Sequence, residues 1–147
     1  MSGIRIVPFT EGVGRLAQFL SEKIRAFNDE RSPAHKAAGA AAQIGIAVTD
    51  EAGNFVGGVS GETYWNWLEI KDLFLPEELR GGGLGRKLLL EIEDMARARG
   101  CTRSFLTTFS FQAPGFYEKN GYRPAGRLAD YPPGGAYYWM MKELKSG

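Results

Sequence analysis

Apolar residues along the chain switch between a two-residue and a three-to-four-residue spacing, and each switch marks a new element. Ile4, Ile6 and Val7, closed by Pro8 and Phe9, predict a short strand; Thr10 follows as a candidate helix cap. From Val13 to Phe27, Leu16, Phe19, Leu20, Ile24 and Phe27 recur at helical spacing and predict an amphipathic helix with one buried stripe. Pro33 breaks it, and the alanines before Ala42 can support a second, short helix. Alternation over Gln43 to Asp50, a turn at Asp50 to Asn54, and a return from Phe55 to Gly61 predict a hairpin. Gly57, Gly58 and Gly61 in the return strand mark bends or close approach of a ligand or another chain element. Trp67 to Leu75 adds a third strand, so this part of the chain is an antiparallel meander, with Tyr64, Trp65 and Trp67 at its connection as packed aromatics or, alternatively, a wall of the substrate pocket.

The second half alternates differently. Leu84 to Gly100 carries Leu84, Leu88, Leu89, Ile92, Met95 and Ala96 on one helical face, with Arg97, Arg99 and Gly100 as stop signals. Cys101 follows as a buried structural thiol. Arg103 to Phe109 reads as a strand and Ser110 to Asn120 as a short helix with Ser110 as cap. A strand starting at Tyr122, a loop over Asp130 to Gly135, and a strand over Ala136 to Leu144 complete the pattern. Strand alternation puts Glu69, Lys71 and Leu73 on one face and Asp72 on the other, unless a bulge intervenes.

Composition narrows the class. A chain of 147 residues, 44% hydrophobic and 24% charged, is the size and make-up of one globular domain. Eighteen basic against seventeen acidic side chains give a net charge of +1, which offers no bulk attraction for nucleic acid. A single cysteine suits a reducing compartment. With no signal peptide and no apolar run long enough to cross a bilayer, the expected address is cytoplasmic and no membrane partner is expected. His35 is the only histidine; it invites a catalytic reading, but a solvated loop histidine is the simpler one. With no histidine or cysteine at ligand spacing beside it, no metal is expected.

The candidate chemistry lies between the third strand and the following helix, where Leu73-Phe74-Leu75-Pro76-Glu77-Glu78-Leu79-Arg80 runs into Gly81-Gly82-Gly83-Leu84-Gly85-Arg86. Consecutive glycines tolerate positive φ and leave backbone N–H groups free to converge on an anion at a helix N-terminus, with Arg80 and Arg86 adding charge. A mononucleotide P-loop would need Gly-Lys-Ser/Thr where Arg86, Lys87 and Leu88 stand. A dinucleotide fingerprint would need glycine in place of Arg86.

The stretch instead resembles the acetyl-CoA signature of the GCN5-related N-acetyltransferases (GNAT), Arg/Gln-x-x-Gly-x-Gly/Ala, met by Arg80, Gly83 and Gly85. A second signature of that family is matched by Ala113, Phe116, Tyr117, Lys119, Gly121 and Tyr122, and the resemblance spans Phe55 to Leu144. It implies an α/β (α+β) fold: one domain over residues 1–147, whose mixed, mostly antiparallel twisted sheet of six or seven strands has flanking helices and a splayed parallel pair in the middle. It further implies acetyl-CoA as cosubstrate. Leu73, Phe74 and Leu75, the loop Arg80, Gly81, Gly82, Gly83, Leu84, Gly85 and Arg86, and Ser110, Ala113, Phe116 and Tyr117 would hold it. In the family's chemistry Glu69 stands as general base, with Asp72 next in line, and Tyr117 as the acid that protonates the departing thiolate. The loops Asn28 to Ala42 and Arg127 to Ala136, with Tyr131, Tyr137 and Tyr138, would shape the acceptor side, which favours a small-molecule amine. A protein N-terminus or lysine as acceptor, and a non-catalytic CoA-binding module, are the alternatives; a mere binder has no use for Tyr117 and Glu69. The resemblance allows a homodimer without requiring one.

Overall fold

The computed structural model describes residues 3–145. The chain divides into two compact units between Gly39 and Ala40. The first holds α1 (Gly14–Arg31) and α2 (Pro33–Ala38). Ser32 ends one helix and starts the other: its N–H donates to the Asn28 carbonyl at 2.8 Å, and its hydroxyl accepts from the His35 N–H at 3.1 Å, with Pro33 in the first turn. Three expectations fail here. Residues 4–9 form no strand, Thr10 caps nothing because α1 starts at Gly14, and the stripe on α1 contains no buried residue. Two helices in fewer than forty residues have too little apolar surface to close a core of their own. His35 sits in α2 rather than a loop, with Nδ1 2.6 Å from Asp29 Oδ1.

The second unit is one six-stranded sheet. Its strands are β1 (Ala42–Thr49), β2 (Phe55–Tyr64), β3 (Trp67–Phe74), β4 (Arg103–Phe109), β5 (Arg123–Ala129) and β6 (Ala136–Glu143), in spatial order β1-β2-β3-β4-β6-β5. Every neighbouring pair is antiparallel except β3 and β4, which run parallel because α3 (Leu84–Ala98) carries the chain between them. Leu88, Leu89, Ile92 and Ala96 of α3 bury against Ile44, Val59, Leu68, Ile70 and Leu106, so one face of the sheet carries the core. Burying side chains of this size contributes roughly 1.5–3 kcal/mol each. Cys101 is part of that core, and burial raises its thiol pKa, in keeping with a structural role.

Two irregularities shape the site. The β2–β3 register slips between Ser60 and Gly61, so that Ser60 faces Asp72 while Gly61 faces Ile70, leaving Lys71 as the bulged residue. A side chain at Gly61 would collide with the Glu69 carbonyl, and one at Gly57 would come within 2.7 Å of the Phe74 carbonyl. The strand glycines thus answer to neighbouring strands rather than to a ligand. The second irregularity is that β3 and β4 pair over only four positions, Trp67↔Arg103 to Ile70↔Leu106. Beyond these β3 runs on to Phe74 and β4 to Phe109, each held only on its far side by β2 or β6. The parallel pair therefore opens into a V whose arms expose backbone to each other.

Candidate active site

At the end of the β3 arm, a 3-10 turn over Glu77–Leu79 leads to Arg80 and the glycines. Gly83 has φ +87° and caps α3; Gly81 is also left-handed, and Gly82 is not. A Cβ added at any of the three would meet nothing within 4 Å, so the surface above the turn is open. The first turn of α3 has no acidic residue, while Arg86 and Lys87 are exposed beside it. Open backbone, a helix N-terminus and local positive charge form a cradle that fits a pyrophosphate. Arg80 does not stand over the glycines as a free charge: its Nε donates to the Leu75 carbonyl at 2.7 Å, and its guanidinium lies 5.8 Å from the Phe74 ring centre. It therefore pins the strand end to the loop.

Gly85 links the two signature motifs. A Cβ there would lie 3.5 Å from the Phe116 ring, so the start of α3 and α4 (Pro114–Lys119) pack together at this point. Ser110 does not cap α4, which begins at Pro114 behind an Ala113 that supplies no side-chain bond. The Ser110 hydroxyl instead accepts the Ala136 N–H at 3.0 Å and ties the end of β4 to β6, because β6 starts directly opposite it. Ala113 contributes its carbonyl, which accepts from the N–H groups of Phe116 and Tyr117 at 3.1 and 3.4 Å.

Tyr117 packs edge-on against Phe116 and Tyr122, with ring centres 5.2 and 5.8 Å away. Burial, and then the negative charge of Asp72, raise its pKa, so the phenol keeps its proton at neutral pH. The bulge at Lys71 sets where Asp72 lies: one extra residue turns it onto the face that carries Glu69 and leaves Leu73 with the core. Strict alternation is thereby corrected. Glu69 pairs with Lys71 at 3.2 Å, and that bond, more than any other influence, raises the lysine pKa. Asp72, Lys71, Glu62, Ser60 and Gln43 line an open cavity of about 630 Å³ across β1, β2 and β3. On the β4 side, Phe109, Phe111, Tyr131, Tyr137 and Trp139 form a chain of ring contacts between 4.7 and 6.0 Å. Tyr138 instead packs toward the core, as its place one residue along β6 requires.

Sequence reasoning overlooked the polar cluster beneath Tyr117. Glu93 and Ser104 are fully buried. Tyr122 Oη lies 2.8 Å from Glu93 Oε2 and 2.8 Å from Ser104 Oγ, and Lys142 Nζ donates to Glu93 Oε1 at 2.8 Å. A signal was present: Glu93 follows Leu89 by four and precedes Ala96 by three, placing a carboxylate on the buried stripe of α3.

Comparison with known proteins agrees with this geometry. The acetyltransferase (GNAT) family pattern matches residues 14–122. Blasticidin-S acetyltransferase of Streptomyces morookaense is 39% identical over 131 residues, 83% of this chain and 96% of that protein. A crystal structure of an acetyltransferase from Bacillus cereus superposes with TM-score 0.83 at 33% identity over 97% of this chain and 99% of its own. The PaiA N-acetyltransferase of Thermoplasma acidophilum, solved in complex with coenzyme A, shares the fold at TM-score 0.59, with 21% identity, over 69% of this chain and 61% of its own. Sheet order, the opened parallel pair, both motifs and these relatives converge: the chain belongs to the GNAT family of acetyltransferases.

Proposed function

We propose that this acetyltransferase moves the acetyl group of acetyl-CoA to a primary amine of a small molecule, by direct attack with both substrates bound. The observation that carries this reading is a half-buried, protonated phenol, Tyr117, packed against Phe116, which itself lies on Gly85 at the end of the glycine turn. The bound cosubstrate would supply a thioester carbonyl. The turn at Gly81 to Gly83 would take its pyrophosphate, and the unpaired β3 backbone over Leu73 to Leu75 would run alongside its pantetheine arm. Arg80 occupies the Leu75 carbonyl, which leaves the strand's N–H groups as the donors for that arm and for the thioester oxygen.

An alkylamine with a pKa of about 10.4 is mostly protonated at neutral pH, so a base must take a proton before the nitrogen lone pair can attack. Of Glu69 and Asp72, we assign this work to Asp72, which lines the cavity and acts on Tyr117, whereas Glu69 is engaged by Lys71. As the new C–N bond forms and the C–S bond breaks, Tyr117 gives its proton to the leaving sulfur, the acylated nitrogen sheds its extra proton to solvent, from which the phenol is reprotonated, and no covalent bond to the protein is needed. Carboxylates at Glu62 and Asp72 in the cavity suit a cationic small amine, and the name of the Streptomyces relative points the same way. The test follows CoA thiol release from acetyl-CoA over a panel of blasticidin S, simpler diamines and a peptide N-terminus. Turnover of a small amine, reduced roughly 10²-fold by Asp72→Asn and much less by Glu69→Gln, is expected. Turnover of the peptide alone would reverse the acceptor class, and the opposite order of the two variants would return the base to Glu69.

A further inference from the structure

We propose that Glu93, Ser104, Tyr122 and Lys142 form a buried mount that positions Tyr117, so that the acid is set from inside the core rather than by its own helix. This rests on the reading of Tyr117 as the acid. α4 is six residues long, buries no residue and has no side-chain cap, too little to hold a side chain in one place unaided. From the core side Tyr117 is held by Tyr122, whose N–H, with that of Asn120, donates to the Tyr117 carbonyl at 3.0 Å and whose ring meets the Tyr117 ring edge-on. Gly121, at φ +93°, turns the chain between them, and a side chain there would crowd Lys142 at 3.2 Å.

Tyr122 is in turn fixed through its oxygen. A phenol has one proton and a carboxylate only accepts, so the Tyr122 O–H donates to Glu93 and the Ser104 hydroxyl donates to the phenol oxygen. Lys142 then satisfies the other carboxylate oxygen. Burial, with the Glu93 charge behind it, raises the Tyr122 pKa strongly, so these directions persist across the working pH range. Desolvating a carboxylate is costly and an apolar plug would fill the space more cheaply, whereas a fully bonded network admits one arrangement and specifies where Tyr117 sits.

The test labels the tyrosines with ¹³C at Cζ and follows the titration of Tyr117 in the free protein, in wild type and in Tyr122→Phe. The variant is expected to move that titration down toward the ordinary phenol value as the ring becomes solvated. With the best amine of the panel, Tyr122→Phe should lower kcat about tenfold with the KM for acetyl-CoA unchanged. In a Tyr117→Phe background it should lower kcat less than twofold. An unmoved Tyr117 titration, or equal factors in both backgrounds, overturns the mount and leaves the acid standing. A Tyr117→Phe variant with full kcat removes the acid and the mount together. Ser104→Ala, which deletes only the donor to the phenol oxygen, enters the same cycle if Tyr122→Phe does not fold, with a smaller effect in the same direction.

Discussion

The glycine turn and the Tyr117 mount lie against each other through Gly85 and Phe116, yet they are built on opposite principles. In the turn, backbone alone makes the cradle: two left-handed glycines, open space above them, and a helix end. At the mount, side chains from α3, β4, β6 and the residue ahead of β5 lock one another in a dry interior. Dihedral strain should therefore damage the first and loss of a hydrogen-bonding or charged partner the second, even though both would serve the one proposed reaction.

Removing the cation from the mount should show the largest effect. Lys142→Met leaves Glu93 buried with only Tyr122 to answer it, and should lower unfolding free energy by about 3 kcal/mol or more in urea titrations. Unchanged stability would mean that Glu93 carries no charge in the folded protein. Tyr117→Phe removes no core contact and should leave stability nearly unchanged while kcat falls roughly 10²-fold and acetyl-CoA still binds. A comparable loss of binding would erase the distinction between holding the cosubstrate and acting on it.

A smaller effect is expected within the turn. Gly83→Ala forces a left-handed residue with a Cβ and should cost roughly 1–2 kcal/mol, with weaker acetyl-CoA binding by calorimetry. Gly82→Ala, without that conformation and with free space around it, should stay within about 0.5 kcal/mol in stability. Equal costs at both positions would show that dihedral preference is not what the turn needs. The smallest effect concerns pH. Because the Tyr117 pKa is raised above 10.0, its proton is present below that pH and is lost only as pH rises through the raised value. No decline in kcat traceable to Tyr117 should appear between pH 7 and 9, and Tyr117→Phe should leave that range equally flat. A limb in this window that vanishes in the variant would mean that the Tyr117 pKa is lowered rather than raised, against its burial.

Periodicity and turn chemistry were enough to find the meander, the long amphipathic helix and the glycine junction, because each depends on residues close together in the chain. Two motifs in order were enough to identify the family. Three features were legible only in part. The Ile4 to Phe9 alternation has strand chemistry but no strand, since pairing needs a partner that local sequence does not supply. The stripe on α1 has the right spacing for burial without being buried, because periodicity defines a face and not what covers it. Ser110 looked like a cap and is a tie to β6, because a hydroxyl bonds whichever backbone group lies nearest.

What the sequence by itself determined was the set of elements, the family and the backbone chemistry of the turn, all of which follow from local preferences and short spacings. Tertiary structure alone decided which face of β3 carries Asp72 and which side chains gather around Tyr122. Asp72 is turned onto the face of Glu69 by a one-residue bulge opposite Gly61, because a bulge reverses every side chain beyond it. Glu93, Ser104, Tyr122 and Lys142 stand up to 49 positions apart and meet only when α3 settles on the sheet, where a buried charge must find its partners or destabilise the fold.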